Sequence, residues 1–442
     1  MKRTLLTIGL ATIVTANLFA GETLTVKLVP DRELVLKGPP QEIVVKIDLS
    51  AIVEPKKTRR TPLNLAVVLD KSGSMTGAKI EKTKQAAMQL VDRLAPDDIF
   101  SLVIFSDHPQ VLVPAQKVVD KQAIKGRIES IQADGSTALY AGVNLGADQV
   151  REYLSSRRIN RVILLSDGLA NIGPSTPRDL RRLGSDLAER GISVTTIGVG
   201  DDYNEDLMAG LAEASDANYY YVKDTEKLPE IFAKELGGLL TVAARDVRIE
   251  IVCPDGVRPL GFIGRSEKFT SQKATVNLSQ FTAGQNRYLM LRCLVDGNQP
   301  EVARVNVNYT DEFNGGRVQA TDDVVKIRFT ENQEAVDKSV NAMIVAQKEL
   351  LLTAVAKDEA MAQADGGNYS EAAKILSAQN AQLNAAYASA PPMVQVQIRE
   401  ETNNLKYFSD RMGGGGFGGG GGYDSSTRKT MQEQSYNSRN SK

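Results

Sequence analysis

The spacing of hydrophobic residues changes several times along this chain. Apolar and polar residues alternate over residues 22–50, and the alternation returns after residue 241, a pattern typical of half-buried strands. Between these regions, short apolar runs alternate with stretches in which apolar residues recur every three or four positions, as in buried strands followed by helices. From residue 331 the helical spacing continues alone. The pattern therefore predicts strands, then an α/β region, then strands, then helices.

The alternation of strands and helices over residues 62–237 predicts a doubly wound, mostly parallel sheet with helices on both faces. We interpret the flanking segments, residues 21–61 and 238–330, as parts of one β-sandwich into which the α/β domain is inserted. Two independent domains with an N-terminal β arm are the alternative. Together these segments predict an α/β fold flanked by a sandwich and followed by a helical region at residues 331–410.

Within the helical region, the pattern predicts one long helix that carries Val336 and Leu350 and breaks at Asp365-Gly366-Gly367-Asn368. Shorter helices are expected over residues 371–387 and 394–408. Residues 411–442 are Gly-rich and then polar. Because such a segment has little apolar surface to offset the entropy of ordering, we predict that it is disordered.

The first twenty residues predict a secretory signal peptide. Lys2 and Arg3 precede an apolar stretch over residues 5–16, and a small residue, Ala20, marks the expected cleavage point. An uncleaved anchor is the alternative, although the stretch is short for a spanning helix. The sequence has no second apolar stretch long enough to span a bilayer, so we expect a periplasmic or secreted protein.

Charge and cysteine content narrow the possible functions. The formal net charge of −1 argues against a nucleic-acid partner, which requires a basic face. The two cysteines, Cys253 and Cys293, lie on the apolar faces of alternating strands. They could pair in an oxidising compartment or remain as two buried thiols, and the sequence leaves this open.

Polar residues with side-chain oxygens follow two of the apolar runs. Asp70 ends the first strand of the α/β region and begins an Asp-x-Ser-x-Ser cluster with Ser72 and Ser74. Asp167 ends the fourth strand, and Thr137 lies on a loop before a helix. Open α/β sheets bind ligands where the strand order reverses, at the carboxyl ends of the strands. If the strand order is 3-2-1-4-5-6, the strands that end in Asp70 and Asp167 are neighbours at the reversal point, and both aspartates face one crevice.

Two carboxylates and three hydroxyls form a set of oxygen ligands suited to a hard divalent cation. We expect Mg²⁺, with Ca²⁺ and Mn²⁺ as alternatives. The predicted ligands are Asp70, Ser72, Ser74, Thr137 and Asp167. Serine and aspartate after a strand also commonly cap the next helix, so capping is the structural alternative for these residues.

This combination resembles the metal-ion-dependent adhesion site of von Willebrand factor A domains, over roughly residues 62–237. The motif is Asp-x-Ser-x-Ser, a later Thr and a later Asp-Gly, here Asp70, Ser72, Ser74, Thr137 and Asp167-Gly168. The resemblance implies a non-enzymatic adhesion module whose ion keeps an open coordination position. An Asp or Glu of a protein partner would fill that position.

Two other functions remain as alternatives. One is a structural envelope protein whose metal site is idle. The other is a hydrolase that uses Asp70 or Ser72, but the sequence disfavours it. Ser72 stands where haloacid dehalogenase-type phosphatases carry their second Asp, and it lacks the Gly-x-Ser-x-Gly frame of serine hydrolases.

Overall fold

The computed structural model describes residues 23–53, 60–413 and 422–440. The predicted signal peptide, residues 1–20, lies outside the described residues. In the described part, no helix is both long enough and apolar enough to cross a membrane.

The strands and helices follow the predicted order. The strands are β1 Leu24–Pro30, β2 Leu34–Leu36, β3 Gln41–Ala51, β4 Leu63–Asp70, β5 Ile99–Phe105, β6 Pro109–Lys117, β7 Ile159–Ser166, β8 Ser193–Val199, β9 Tyr219–Val222, β10 Val242–Val252, β11 Val257–Phe262, β12 Lys273–Thr282, β13 Asn286–Val295, β14 Glu301–Asp311, β15 Arg317–Lys326 and β16 Arg328–Thr330. The helices are α1 Ala78–Arg93, α2 Lys121–Glu129, α3 Leu139–Glu152, α4 Pro177–Glu189, α5 Glu205–Ala214, α6 Leu228–Leu240, α7 Gln333–Lys338, α8 Ala342–Asp365, α9 Tyr369–Tyr387, α10 Pro392–Gly413 and α11 Ser425–Asn440.

The α/β domain contains one six-stranded sheet with the order β6-β5-β4-β7-β8-β9. Counted along the domain, this is the order 3-2-1-4-5-6, so the predicted doubly wound sheet is confirmed. Every pairing is parallel except that of β6, which runs antiparallel to β5 at the edge. The order reverses between β4 and β7, which makes the strands that carry the two aspartates neighbours.

Continuous apolar runs form the central strands because helices cover both faces of the sheet. Every residue of β4 is buried, and its side chains alternate between the two cores. Val67 and Leu69 pack with helices α1 and α6, whereas Ala66 and Val68 pack with α3. A strand that is buried on both faces shows no alternation of apolar and polar residues, and the sequence of β4 shows none.

The remaining strands form two antiparallel four-stranded sheets, β1-β3-β13-β11 and β12-β10-β14-β15, whose inner residues share one apolar core. Strand β3 precedes the α/β domain and β13 follows it, yet the two strands pair, with Ile47 opposite Leu289. The α/β domain is therefore inserted into the sandwich, as predicted. Cys253 and Cys293 lie in the sandwich core as free thiols, with their Sγ atoms 3.9 Å apart.

The helical region differs from the prediction at its start. The helix expected from Val336 onward is divided into α7 and α8. The side-chain oxygen of Asn341 accepts hydrogen bonds from the N–H groups of Met343 and Ile344, which caps a new helix at this point. The predicted break is confirmed, since α8 ends at Asp365.

The prediction of disorder over residues 411–442 is wrong for the sixteen residues of α11. This helix packs against α8, α5 and β9 with a surface that is largely polar. Lys429 is buried and forms an ion pair with Glu205, and Tyr436 is fully buried with its hydroxyl donating to the Ala217 carbonyl at 2.5 Å. Composition predicted disorder because several contacts of this helix are ion pairs, such as those of Lys429 and Arg439, and a count of apolar residues does not include them.

If α11 is an integral part of the fold, Tyr436→Ala should lower the free energy of unfolding by about 3–5 kcal/mol, because it removes a buried aromatic ring. Tyr407→Ala is the matched control, since Tyr407 on α10 is 51% exposed. The control should cost less than about 0.5 kcal/mol. Urea denaturation of both variants measures the difference, and equal stabilities would contradict the docking of α11.

Candidate metal centre

The candidate site lies at the carboxyl ends of β4 and β7. Leu69 pairs with Leu165 in the parallel register, so the next residues, Asp70 and Ser166, lie side by side. Asp167 follows directly on β7. Because the strand order reverses between these strands, the connections leaving them diverge to opposite faces and leave a crevice at their ends.

Asp70 is fully buried, and both of its carboxylate oxygens have partners. Oδ1 accepts the backbone N–H of Ser72 at 2.8 Å, and Oδ2 accepts the hydroxyl of Ser166 at 2.5 Å. Burial raises the pKa of Asp70 to about 6, although the hydrogen bonds from Ser166 and Ser72 oppose the rise. The nearby charge of Asp167 raises the pKa further. A cation at this position would favour the ionised form.

Ser72 directly precedes a single 3₁₀ turn, Gly73–Met75, that leads to α1, and Ser74 lies within this turn. Their hydroxyl oxygens are 3.1 Å apart, and the hydroxyl of Ser74 donates to Asp167 Oδ1 at 2.7 Å. Ser72 caps no backbone N–H with its side chain, and the residue at the start of α1 is Gly77. The capping alternative is therefore wrong for both serines, whose hydroxyls point into the crevice instead.

Thr137 reaches the same crevice from the loop before α3. The loop is joined to the turn after β4 by hydrogen bonds from Gly73 N–H to the Gly135 carbonyl at 3.0 Å and from Asp134 N–H to the Lys71 carbonyl at 2.7 Å. Gly135 has a φ of +74°, a left-handed conformation that favours glycine. The Thr137 N–H donates to the side-chain oxygen of Asn171 at 2.9 Å, which links this loop to the one after β7.

Gly168 provides the space in which these loops meet. A Cβ atom at this position would lie 2.9 Å from Thr137 Oγ1 and 3.5 Å from Ser74 Oγ. The Thr137 and Ser74 hydroxyls thus lie next to the same backbone position, directly after Asp167. All five residues predicted from the sequence meet at one edge of the sheet.

The donor set fits a hard divalent cation. It offers five side chains, all with oxygen donors, of which Asp70 and Asp167 are acidic and fully buried. Across the described residues, there is no group of three or more His, Cys, Asp and Glu side chains that could hold a metal ion. A metal site in this crevice would therefore use hydroxyl ligands as well as carboxylates, and Mg²⁺ accepts both kinds of oxygen ligand.

Sequence reasoning missed two residues that contact the predicted ligands. Ser166 precedes Asp167 at the end of an apolar strand, and its polarity in that run was an available signal. Lys79, in the first turn of α1, donates its ammonium group to Asp167 Oδ2 and lies 4.0 Å from Asp202 Oδ2. No sequence pattern indicates the Lys79 contact, because it depends on how α1 and two distant loops pack.

Comparisons with known proteins agree with the fold. The von Willebrand factor type A domain matches residues 64–234. The chain is 28% identical to the uncharacterized protein sll0103 of Synechocystis, over 65% of this chain and 71% of that protein. It is 26% identical to the uncharacterized protein YfbK of Escherichia coli, over 60% of this chain, but spans only 47% of that protein.

Two solved structures are similar over nearly the whole chain. The von Willebrand factor type A protein of Catenulispora acidiphila has a TM-score of 0.67 at 17% identity and covers 88% of this chain and 89% of its own. The ArnB paralog VWA2 of Sulfolobus acidocaldarius has a TM-score of 0.65 at 17% identity and covers 95% and 99%. At this identity the likeness shows the fold alone. The family match therefore identifies residues 64–234 as a von Willebrand factor type A domain.

Proposed function

We propose that this protein is a metal-dependent protein-binding module that acts outside the cytoplasm and binds a carboxylate of its partner through a divalent ion. Von Willebrand factor type A domains are generally interaction modules. The observation that carries the finer proposal is the meeting of three hydroxyls and two buried carboxylates beside Gly168. The signal peptide that the sequence predicts over residues 1–20 supports the location.

The charges of the site explain why an acidic partner suits it. Asp70 and Asp167 would supply the negative charge, whereas Ser72, Ser74 and Thr137 contribute neutral oxygens. Bound Mg²⁺, or Ca²⁺ or Mn²⁺ in its place, would act as an electrophilic centre with an open coordination position. Ser74 is exposed, so the crevice opens to solvent on the side of the turn that follows β4. An Asp or Glu of a partner would reach this side and form a charge-assisted contact.

The exposed loops around the crevice would then select the partner. Leu169, directly after the Asp167-Gly168 pair, is 58% exposed and offers apolar surface beside the site. Lys71, directly after Asp70, forms an ion pair with Asp134, which lies on the loop that carries Thr137. Charged groups therefore also line the rim of the site. A partner segment with an acidic residue next to an apolar one would match this surface.

An enzyme is less consistent with the geometry. Ser72 Oγ lies next to Ser74 Oγ, and the one histidine of the chain, His108, lies on an exposed turn. Both oxygens of Asp70 already accept hydrogen bonds, which hold this carboxylate in a fixed position. A structural envelope protein whose metal site is idle remains the second candidate function. Partner capture distinguishes it from the metal-dependent binding module.

Replacing Thr137 tests the ion site. Thr137→Val keeps the shape of the side chain but removes the hydroxyl, so the affinity for Mg²⁺ should fall roughly tenfold or more. Thr137→Ser retains the hydroxyl and should bind like the wild type. Calorimetric titration with MgCl₂ measures both, and equal affinity in the valine and wild-type proteins would exclude Thr137 as a ligand.

The affinity for Mg²⁺ should also depend on pH. The pKa of Asp70 is raised to about 6, so the carboxyl is protonated below that pH and must release its proton for an ion to bind. The affinity should be constant above about pH 7 and fall by about tenfold for each pH unit below 6. Titrations between pH 5 and 8 provide the measurement. An affinity that does not change over this range would show that Asp70 does not bind the ion.

Partner capture tests the proposed function itself. Immobilised protein is exposed to an envelope extract of the native host in the presence of Mg²⁺ and then washed with EDTA. We expect a protein that elutes on chelation, is captured by Thr137→Ser and is lost with Thr137→Val. The same captured proteins in all three columns, none of them released by EDTA, would favour the structural alternative.

A further inference from the structure

Lys79 introduces a positive charge into the candidate metal centre. Its ammonium group forms an ion pair with Asp167 Oδ2. The side chain of Asp167 is fully buried, whereas that of Lys79 is 26% exposed. The pair therefore joins a fixed, buried carboxylate to a longer side chain that approaches from the solvent side.

Asp167 has a partner on each carboxylate oxygen. The hydroxyl of Ser74 donates to Oδ1, and the ammonium of Lys79 donates to Oδ2. A divalent ion held by the predicted ligands would share Asp167 with this ammonium group. Two cations next to one carboxylate repel each other, and the repulsion is strong where water is largely excluded.

A second acidic group lies within reach of Lys79. Asp202 Oδ2 is 4.0 Å from the ammonium nitrogen, and its side chain is 80% exposed. Asp202 lies on the loop between β8 and α5, where a Cβ at Gly200 would lie 3.5 Å from the same nitrogen. The ammonium can therefore keep a carboxylate partner after it leaves Asp167, by a small movement toward this loop.

We propose that Lys79 is a built-in competitor of the divalent ion for Asp167. The ammonium group moves from Asp167 to Asp202 when the ion binds, so Lys79 lowers the affinity of the site and raises the ion concentration needed to fill it. This inference rests on the proposed function, because it assumes that the five oxygen ligands hold an ion.

Lys82 provides a matched control on the same helix. It lies three residues after Lys79 on α1, its side chain is 28% exposed, and it forms an ion pair with Glu226 at 2.7 Å. The two lysines thus share the helix, the exposure and the type of contact. They differ in that Lys79 contacts a predicted ligand and Lys82 does not.

The first experiment measures Mg²⁺ affinity by calorimetry for the wild type, Lys79→Met and Lys82→Met. A neighbouring charge changes the proton affinity of a carboxylate by one to three pKa units, so Lys79→Met should bind Mg²⁺ roughly tenfold to a hundredfold more tightly. Lys82→Met should match the wild type. Binding that is unchanged or weaker in Lys79→Met overturns this inference while the proposed metal site stands. No binding by either the wild type or Lys79→Met overturns both.

Asp202→Asn tests where the ammonium group goes. Without Asp202, the displaced ammonium loses its second partner, so the affinity for Mg²⁺ should fall. The same substitution in the Lys79→Met background should have a clearly smaller effect, since there is then no ammonium to receive. Equal effects in both backgrounds would show that Asp202 acts on the ion directly and would contradict the proposed movement.

A second measurement uses the unaltered protein and therefore does not depend on how the variants fold. Lysine side chains are labelled with an amine-reactive reagent, with and without Mg²⁺, and the labels are quantified by mass spectrometry. Labelling of Lys79 relative to Lys82 should rise several-fold with Mg²⁺, because the ammonium leaves a buried carboxylate for an exposed one. Unchanged or decreased labelling of Lys79 in protein that binds Mg²⁺ would overturn the inference.

Discussion

The parallel pairing of β4 with β7 is the constraint on which the candidate site depends. Asp70 and Asp167 are far apart in sequence, but this pairing places them at the ends of adjacent strands. Both side chains are buried there. The strand order reverses at this point, so the following loops diverge and leave room between them. A different order of strands would separate Asp70 from Asp167 and leave each buried without the other.

Two buried carboxylates next to each other are costly unless their charge is compensated. Asp70 is compensated by hydrogen bonds from Ser72 and Ser166, and burial still raises its pKa to about 6. Asp167 is compensated by Ser74 and by the ammonium of Lys79. The site thus combines several oxygen donors with a cation that the chain itself supplies, the ammonium group of Lys79. In our account, a divalent ion takes over the neutralisation of Asp167, and the affinity of the site reflects the competition between the two cations.

The sequence predicted the parts of this arrangement that depend on local pattern. Apolar runs ending in Asp70 and Asp167 identified two strand ends, and the alternation of strands and helices predicted a doubly wound, mostly parallel sheet. The strand order that makes these two strands neighbours was only assumed, and the structure supplies it. The contact of Lys79 with Asp167 could not be predicted, since it arises from the angle at which α1 leaves its turn. Helix α11 was missed for a related reason. Its stability depends on Glu205 and on buried contacts of Tyr436 with residues more than two hundred positions earlier.

The most direct test of the central claim is diffraction from crystals of the protein soaked in Mn²⁺, with data collected where manganese scatters anomalously. Our account predicts one strong anomalous peak at the carboxyl end of β4, about 2.0–2.4 Å from the oxygens that coordinate it, with the hydroxyls of Ser72, Ser74 and Thr137 among its nearest neighbours. It also predicts that the Lys79 ammonium is turned toward Asp202 in the same crystal. No peak at this position, or a peak held only by surface carboxylates elsewhere, would contradict the account.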